Sequence, residues 1–327
     1  MTLKDLGEFG FIDRITTFSG SGSGVALGIG DDAAAVIPTT GVQTLVTTDM
    51  LVEGVHFDVE FTGAFELGCK SLAVNLSDIA AMGGIPRFAL LSLAIPPTLP
   101  LDFLDAFIAG FTTRAEQHGV TLVGGDTCSS RSGFVISVTL MGEQQSDRIV
   151  RRSGAKPGDR VYITGNVGDS ALGLELLRRG ERSGAAIIRH VDPLPRNEAG
   201  MILAEQGLAT AMIDVSDGLI ADLGHILKQS GCGATVFLDR LPLSPEYRQH
   251  MAGMTVDPFA LALSGGGDYE LLFTSPVDRE EEVLAVFTSI VLPVTLIGEI
   301  TATPGLTLIA PDGAPYIPTS RGFDHFA

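Results

Sequence analysis

Residues 64–95, AFELGCKSLAVNLSDIAAMGGIPRFALLSLAI, place one helix pattern directly before one strand pattern. The first part, Ala64–Met82, repeats apolar residues at helical spacing and ends at a glycine pair, residues 83–84, which favours a helix end. The apolar run Arg87–Ile95 that follows is short, as expected of a buried strand. The same alternation recurs along the chain. It predicts an α+β fold in which helices pack on mixed sheets.

The other elements follow from the same two patterns. We predict strands at Ala26–Ile29, Gln43–Thr48, Thr121–Val123, Phe134–Met141, Arg160–Thr164, Met212–Val215, Ala234–Leu238, Glu270–Thr274 and Val291–Ile297. We predict further helices at Leu101–Gln117, Asp169–Arg179, Arg196–Ala204, Leu219–Gln229 and Arg279–Ser289. The polar segment Arg151–Asp159, punctuated by Gly and Pro, predicts a boundary between two domains, residues 1–150 and 151–327. The repetitive segment Ser19–Gly24 is expected to be a mobile loop.

Composition excludes several classes of function. Of 327 residues, 45% are hydrophobic and 18% charged, which is enough apolar material for folded cores. Lys and Arg total 21 against 39 for Asp and Glu, and the net charge of −18 argues against nucleic acid or an acidic membrane as partner. Cys69, Cys128 and Cys232 are far apart, so neither a disulfide framework nor a cysteine zinc site is supported. With no basic leader and no apolar run long enough to span a bilayer, we expect a cytoplasmic protein.

Aspartates recur where apolar runs end. Four predicted strands run into acids, which are Asp31 and Asp32, Asp49, Asp126 and Asp214. Asp also suits turns and helix N-caps, so any one of them has an ordinary structural explanation. Because ligands gather outside the carboxyl ends of strands in helix-covered sheets, the repetition favours one shared site.

Two further segments add polar groups to this set. Ser71, Asn75 and Asp78 share one helix face, which is either simply the wet side or a face that turns Asp78 toward the other acids. In the segment Asp214–Gly218, DVSDG, a strand ends and a helix begins. Ser216 or Asp217 is the expected N-cap, and free N–H groups there can also bind phosphate. Asp222, one turn later, is expected to be solvated or internally satisfied.

Clustered carboxylates require a counter-charge. Two unit charges about 4 Å apart repel by about 4 kcal/mol at an effective dielectric of 20, so protons or metal ions must neutralise the group. Oxygen ligands without His or Cys select Mg²⁺, Mn²⁺ or Ca²⁺ over zinc, and Mg²⁺ shares its coordination with substrate phosphates. This favours phosphoryl transfer. The chain lacks a P-loop, the kinase signature motifs and a nucleophile elbow, so nucleotide chemistry must use another fold and acyl transfer is not expected.

Taken together, the motifs resemble the thiamine-monophosphate kinases, in the superfamily of aminoimidazole ribonucleotide synthetase and selenophosphate synthetase. The resemblance spans nearly the whole chain, and its longest motifs are GIGDDAA, TTDMLVEGVHF, NLSDIAAMG, GGDT, RSGAKPGD, DVSDGL, GDYEL and GFDHF. It implies Mg²⁺ ligands at Asp32, Thr47, Thr48, Asp49, Asp78, Asp126, Asp214 and Asp217. It also implies ATP contacts from Gly125, Asp126, Arg152 and Ser216, and acceptor contacts from His56, Phe323 and the residue at position 267.

One position departs from the family pattern. Where GGEDYEL is expected the chain reads GGGDYEL, so Gly267 replaces a glutamate expected to contact the substrate. The departure predicts weaker binding of the cationic acceptor or a shifted pose, with the metal and ATP parts untouched. Gly267→Glu is therefore expected to lower the Michaelis constant.

The resemblance further implies a homodimer built through the N-terminal sheets, a site in the cleft between the two domains, and direct phosphoryl transfer from ATP to thiamine monophosphate. No general base is expected, because the acceptor oxygen is already anionic at neutral pH. Two alternatives remain at this point. One is another ATP-dependent synthetase of the superfamily, such as an amidine-forming enzyme, and the other is a protein that binds nucleotide and metal without turnover.

Overall fold

The computed structural model describes residues 3–16, 22–252, 257–320 and 322–323. The chain divides into two compact units. The N-terminal unit comprises Met1–Ile79 and Gly84–Ser146, and the C-terminal unit comprises Ala80–Gly83 and Asp147–Ala327. Half of the repetitive segment Ser19–Gly24, from Ser19 to Ser21, lies outside the described residues, as does the end of the GFDHF motif from Asp324 onward.

The N-terminal unit contains a four-stranded mixed sheet. Its elements in chain order are α1 (Leu3–Thr16), β1 (Val25–Leu27), β2 (Ala35–Val36), β3 (Gln43–Val52), α2 (Ala64–Ala81), β4 (Ile85–Ile95), α3 (Leu101–Gln117), β5 (Thr121–Ser129) and β6 (Val135–Gln144). The strand order is β3-β6-β4-β5, with β4 and β5 parallel and the other pairs antiparallel. Strands β1 and β2 form a separate two-stranded ribbon.

Helices α2 and α3 pack against each other at two glycines. A Cβ atom on Gly68 would lie 2.0 Å from the carbonyl oxygen of Phe107, and one on Gly110 would lie 1.9 Å from that of Phe65. Glycine is therefore required at both positions for the backbones to approach this closely. The close contact fixes the position of α2, the helix that carries Asp78.

Strand β3 presents two different faces. Leu45 and Leu51 are buried on one face, and the side chains between them, Thr47 and Asp49, share it because side chains alternate along a strand. The opposite face carries Val46 and Met50, which are 65% and 58% exposed. β3 is also an edge strand, so one side of its backbone pairs with no other strand among the described residues.

The C-terminal unit contains a seven-stranded sheet. Its elements are β7 (Arg160–Thr164), α4 (Asp169–Arg178), α5 (Ala185–Val191), α6 (Asn197–Glu205), β8 (Ala211–Asp214), α7 (Leu219–Ser230), β9 (Gly233–Phe237), α8 (Pro245–Ala252), α9 (Ala260–Ser264), β10 (Leu271–Ser275), α10 (Glu280–Ser289), β11 (Val294–Thr301), β12 (Gly305–Ile309) and β13 (Pro315–Tyr316). The strand order is β13-β12-β9-β11-β7-β10-β8, and only β12 and β9 pair in parallel within it. The predicted α+β class with mixed sheets is confirmed.

Several predicted strands end too early, and two of them carry predicted ligands. Strand β3 continues to Val52 and β5 to Ser129, so Asp49 and Asp126 lie inside strands and not at their ends. Both strands are at sheet edges, and each has a neighbour that continues the ladder past the aspartate, which outweighs the poor strand propensity of Asp. Asp214 does end a strand, as predicted. Helix α1 and the short elements β2, α5, α8, α9, β12 and β13 were not predicted.

No described helix combines the length and the apolar character that crossing a bilayer requires.

Candidate functional site

Three predicted ligands meet in the N-terminal unit. Thr47 lies on the inward face of β3, and its hydroxyl donates a hydrogen bond to Oδ2 of Asp78 near the end of α2. Asp49, two residues along the same face of β3, is close enough for Asp78 to affect its titration. Burial, and then the charge of Asp78, raise the pKa of Asp49 to about 7. The structure thus confirms that Asp78 turns toward another acid, Asp49.

The polar face of α2 is buried. Ser71 and Asn75 are both completely inaccessible, so this face is not the wet side of the helix. The Ser71 hydroxyl donates to the carbonyl of Gly68, and the Asn75 amide donates to that of Ser71. Among the described residues the Oδ1 atom of Asn75 has no hydrogen-bond partner, although it lies one turn before Asp78. The face therefore leaves one buried oxygen acceptor without a hydrogen bond, about one helical turn from Asp78.

These donors fit a hard cation. Two carboxylates, a hydroxyl and an amide oxygen supply oxygen ligands only, which suits Mg²⁺ bound through one or two carboxylates and several waters. Within the described ranges, no three His, Cys, Asp or Glu side chains come close enough together to form a metal cage. The residues therefore fit an ion that is bound by few protein groups and completes its coordination with other ligands.

A cavity of about 100 Å³ adjoins the glycine-rich part of β5. Its walls include Gly125 and Asp126, with apolar side chains from α1, Leu91 of β4 and Ile29 of the GIGDD motif. A Cβ atom on Gly125 would lie 1.8 Å from the carbonyl oxygen of Leu91, so glycine is needed for β5 to pair with β4 here. The GIGDD and GGDT motifs, predicted separately, thus border one space.

The remaining predicted residues of this unit are placed differently. Asp32 is exposed in the loop after Ile29, where its backbone N–H donates to Oδ1 of Asp31 at 2.9 Å. Thr48 lies on the opposite face of β3 from Thr47, and its hydroxyl donates to the carbonyl of Val138 at 3.0 Å. His56 follows β3, and its Nδ1 accepts the Val52 N–H at 3.0 Å, which fixes the ring.

In the C-terminal unit, Asp222 organises the DVSDG segment. Its Oδ2 accepts the N–H groups of Ser216, Asp217 and Gly218, each at 3.1 Å, and only 2% of the residue is exposed. Burial, followed by the charge of Asp217, raises the pKa of Asp222 to about 7 even though these hydrogen bonds lower it. Asp222 is internally satisfied, as predicted.

The predicted N-cap of α7 is wrong. The N-cap position is Gly218, and neither Ser216 nor Asp217 caps the helix with its side chain. A carboxylate four residues downstream reaches back to the same N–H groups, and these are therefore not free to bind phosphate. This capping by Asp222 depends on how the first turn of α7 folds. The identities of Ser216 and Asp217 therefore do not reveal it.

The GGGDYE segment lies against DVSDG. The N–H of Gly267 donates to the carbonyl of Ser216, and that of Tyr269 donates to Val215, both at 2.8 Å. Gly267 and Tyr269 both have left-handed backbone angles, φ 86° and 51°. For a residue such as Tyr269 this conformation is strained, and such strain clusters at functional sites.

The C-terminus joins the same group. The N–H of Phe323 donates to the carbonyl of Asp217 at 2.9 Å, and the side chain of Phe323 is half exposed. The structure thus brings Ser216, Asp217, Gly267 and Phe323 together within this unit. Asp214 is buried at the end of β8, whereas Arg152 is exposed in the segment before β7.

The sequence reasoning missed the charged residues that hold this group. Glu270 is buried and receives two hydrogen bonds from the guanidinium of Arg196, one from Nε at 2.7 Å, and one from the hydroxyl of Thr164 at 2.6 Å. Asp268 accepts the N–H groups of Gly168 and Ser170 at 2.7 and 3.0 Å. The available signal was a pair of acids, two residues apart, directly before the fully buried strand β10.

Comparison with known proteins places the chain in a family. Residues 30–144 match the family described as AIR synthase related protein, N-terminal domain, and residues 156–311 match the corresponding C-terminal domain. The thiamine-monophosphate kinase of Salmonella typhimurium is 41% identical over 333 residues, covering 98% of each chain.

Solved structures agree with this match. The crystal structure of thiamine-monophosphate kinase from Stenotrophomonas maltophilia has a TM-score of 0.84 and 39% identity, covering 95% of this chain and 98% of its own. AaThiL complexed with AMPPCP and TMP has a TM-score of 0.78 and 35% identity, covering 100% and 99%. The chain therefore belongs to the AIR synthase related proteins and, among them, to the thiamine-monophosphate kinase family.

Proposed function

We propose that this chain transfers the γ-phosphoryl group of ATP to thiamine monophosphate, giving ADP and thiamine diphosphate. The observation that carries the proposal is the full-length similarity to thiamine-monophosphate kinases, one of them solved with AMPPCP, an ATP analogue, and TMP. The oxygen-rich group at Thr47, Asp49 and Asp78 supports it, because phosphoryl transfer depends on holding charge and position.

Mg²⁺ is the proposed metal. Asp49 and Asp78 would hold it, with Thr47 orienting the Asp78 carboxylate, and Asp32, Thr48, Asp126, Asp214 and Asp217 stay predicted ligands. When bound, the ion would neutralise phosphate charge. Thr48 fits least well, because its side chain faces away from Asp49.

Nucleotide contacts are proposed at two places. Gly125 and Asp126 border the cavity beside β5, and its apolar walls suit a planar base. Arg152 is exposed and can offer a guanidinium to phosphate oxygens, while Ser216 lies in the loop held by Asp222. These assignments give the chain both apolar and charged contacts for ATP.

The acceptor is proposed to bind near Gly267 and Phe323, and His56 stays a predicted acceptor contact. The half-exposed ring of Phe323 can stack on an aromatic or cationic ring. In the transfer, an acceptor phosphate oxygen forms a bond to the γ-phosphorus while the bond from phosphorus to the β,γ-bridging oxygen breaks. The acceptor oxygen is already negative at pH 7, since the second pKa of a phosphate monoester is about 6, so no residue has to remove a proton.

A homodimer through the N-terminal sheet is part of the proposal. The exposed face of β3, with Val46 and Met50, is apolar and lies at a sheet edge, which supports association there. A cytoplasmic location is proposed because all three cysteines, Cys69, Cys128 and Cys232, are free.

The test measures ADP and thiamine diphosphate formed by the purified protein with ATP and Mg²⁺, with and without thiamine monophosphate. Equal amounts of both products, dependent on the acceptor, are the expected result. ADP release that depends on a different acceptor would indicate another synthetase of the superfamily. ATP binding without either product would indicate a non-catalytic binding protein.

A further inference from the structure

Asp268 connects the GGGDYE segment to the start of helix α4. Its Oδ2 accepts the Gly168 N–H at 2.7 Å and its Oδ1 accepts the Ser170 N–H at 3.0 Å. The N-cap residue of α4 is Gly168, which has no side chain to do this. The carboxylate therefore serves as the cap of a helix that begins a hundred residues earlier.

The residues on either side of Asp268 are bound in a different direction. The backbone N–H groups of Gly267 and Tyr269 both donate to the DVSDG segment, at the carbonyls of Ser216 and Val215. The GGGDYE segment is thus bound to two others. Its Asp268 side chain caps α4, and the backbone on either side of Asp268 donates hydrogen bonds to DVSDG. Removing the central side chain would take away the two hydrogen bonds that tie this segment to the start of α4.

Gly267 fits against α4 with little space to spare. A Cβ atom on Gly267 would lie 2.8 Å from the hydroxyl oxygen of Ser170, which is buried and lies 3.1 Å from Nδ1 of His190. A side chain at position 267 would therefore press on this pair, so the segment and α4 lie close enough together to require glycine here. Asp268 is a side chain that joins the segment to α4.

We infer that Asp268 is a positioning residue for the acceptor: by capping α4 it anchors to that helix the segment whose Gly267 and Tyr269 N–H groups bind DVSDG. The inference rests on the proposed function, because it assigns Gly267 to the acceptor side of that site. Asp268 does not touch the transferred group. Its loss is expected to weaken acceptor binding more than it slows the transfer once the acceptor is bound.

The experiment compares Asp268→Asn with the wild type in steady-state kinetics. Asparagine keeps one acceptor oxygen and loses the other, so one of the two backbone N–H groups loses its partner. We expect the KM for thiamine monophosphate to rise about tenfold, with kcat and the KM for ATP within about twofold. Asp268→Ala, which loses both acceptors, should raise the acceptor KM further.

The matched control is Asp159→Asn. Asp159 is a buried aspartate of the same unit whose Oδ2 accepts the Lys156 N–H at 2.9 Å and the Thr210 hydroxyl at 2.7 Å. It makes the same kind of contact outside the acceptor segment, so its variant should lose thermal stability without changing the acceptor KM. If Asp268→Asn does not fold, Asp268→Glu replaces it, since glutamate keeps both oxygens but moves them by one methylene.

The outcomes separate the two claims. A wild type that forms no thiamine diphosphate would refute the proposed function. An active wild type with an unchanged acceptor KM in the folded Asp268 variants would refute only the positioning role. Equal rises in both Michaelis constants, matched by Asp159→Asn, would reduce Asp268 to a general stabilising residue and also overturn the inference.

Discussion

Asp49, which is partly buried, and Asp222, which is buried, are both aspartates whose pKa is raised to about 7, but their surroundings differ. Asp222 receives three backbone N–H groups and is satisfied by its own loop. For Asp49 the second influence after burial is the negative charge of Asp78. A carboxylate solvated by backbone stabilises the fold, whereas a carboxylate facing another one gains most from an added cation. A raised pKa alone does not distinguish the two cases.

The largest expected effect separates activity from stability at Asp49. Asp49→Asn removes a proposed metal ligand, and turnover should fall at least about 100-fold. The same change removes a charge that faces Asp78, so the metal-free protein should melt at the same or a higher temperature. Steady-state rates and thermal unfolding without metal test both parts. Asp102→Asn, at an exposed position in α3, is the control. Retained turnover would remove Asp49 from the site.

The opposite result is expected at Asp222. Asp222→Ala leaves three backbone N–H groups, one buried and two partly buried, without their acceptor, and the free energy of unfolding should fall by about 3 kcal/mol. Denaturant unfolding measures this change. Asp222→Asn keeps one acceptor oxygen, so its free energy of unfolding should lie between those of Asp222→Ala and the wild type. An unchanged unfolding midpoint for Asp222→Ala would show that water replaces the carboxylate, and the contrast with Asp49 would disappear.

The pH dependence of stability sharpens the same comparison. The pKa of Asp222 is about 7 in the folded protein against 3.8 for the ordinary group, so the folded state keeps a proton that the unfolded state releases. This contribution to stability is complete below pH 4 and is lost as the pH rises to about 7, by at most about 1.4 kcal/mol per pH unit. The variant Asp222→Asn should lack this slope in urea unfolding between pH 4 and 7. If the free energies of unfolding of Asp222→Asn and the wild type change with pH in the same way, the prediction is contradicted.

The smallest effect concerns position 267. The left-handed φ of 86° and the nearby Ser170 hydroxyl make Gly267→Glu strained, so the sequence-based prediction of a lower Michaelis constant needs a second change. Ser170→Ala removes the obstructing oxygen. We expect the double variant to have an acceptor KM about threefold below that of Gly267→Glu alone, because its glutamate can enter the site unhindered. Ser170→Ala alone is the control, and additive effects would argue against the contact.

The sequence was most informative where local pattern decides the structure. Apolar spacing and the terminal glycine at 119 predicted Leu101–Gln117 with both ends correct, and Arg160–Thr164 was equally well bounded. The strand ends at Asp49 and Asp126 were wrong because pairing with distant strands, not propensity, extends β3 and β5. Short elements such as β13 depend on a neighbouring strand and carry too few residues for a period.

The site was predictable in its motifs but not in its connections. Asp78 facing another acid follows from helix spacing. The ion pair between Arg196 and Glu270 joins residues 74 positions apart, and Asp268 caps a helix about a hundred positions away. Nothing in one sequence links such residues, because the link exists only once the sheet has formed.

The close contact at Gly68 and Gly110 gives α2 an uneven tolerance to change. Where side chains set the spacing between two helices, substitutions can be absorbed by repacking. Here backbone meets backbone, so an added methyl group can only push the helices apart. Asp78 lies ten residues beyond Gly68 on the same rigid rod, about 15 Å along its axis. A substitution at Gly68 is therefore expected to displace the Asp78 carboxylate, although Gly68 is adjacent to neither Asp78 nor Asp49 in sequence.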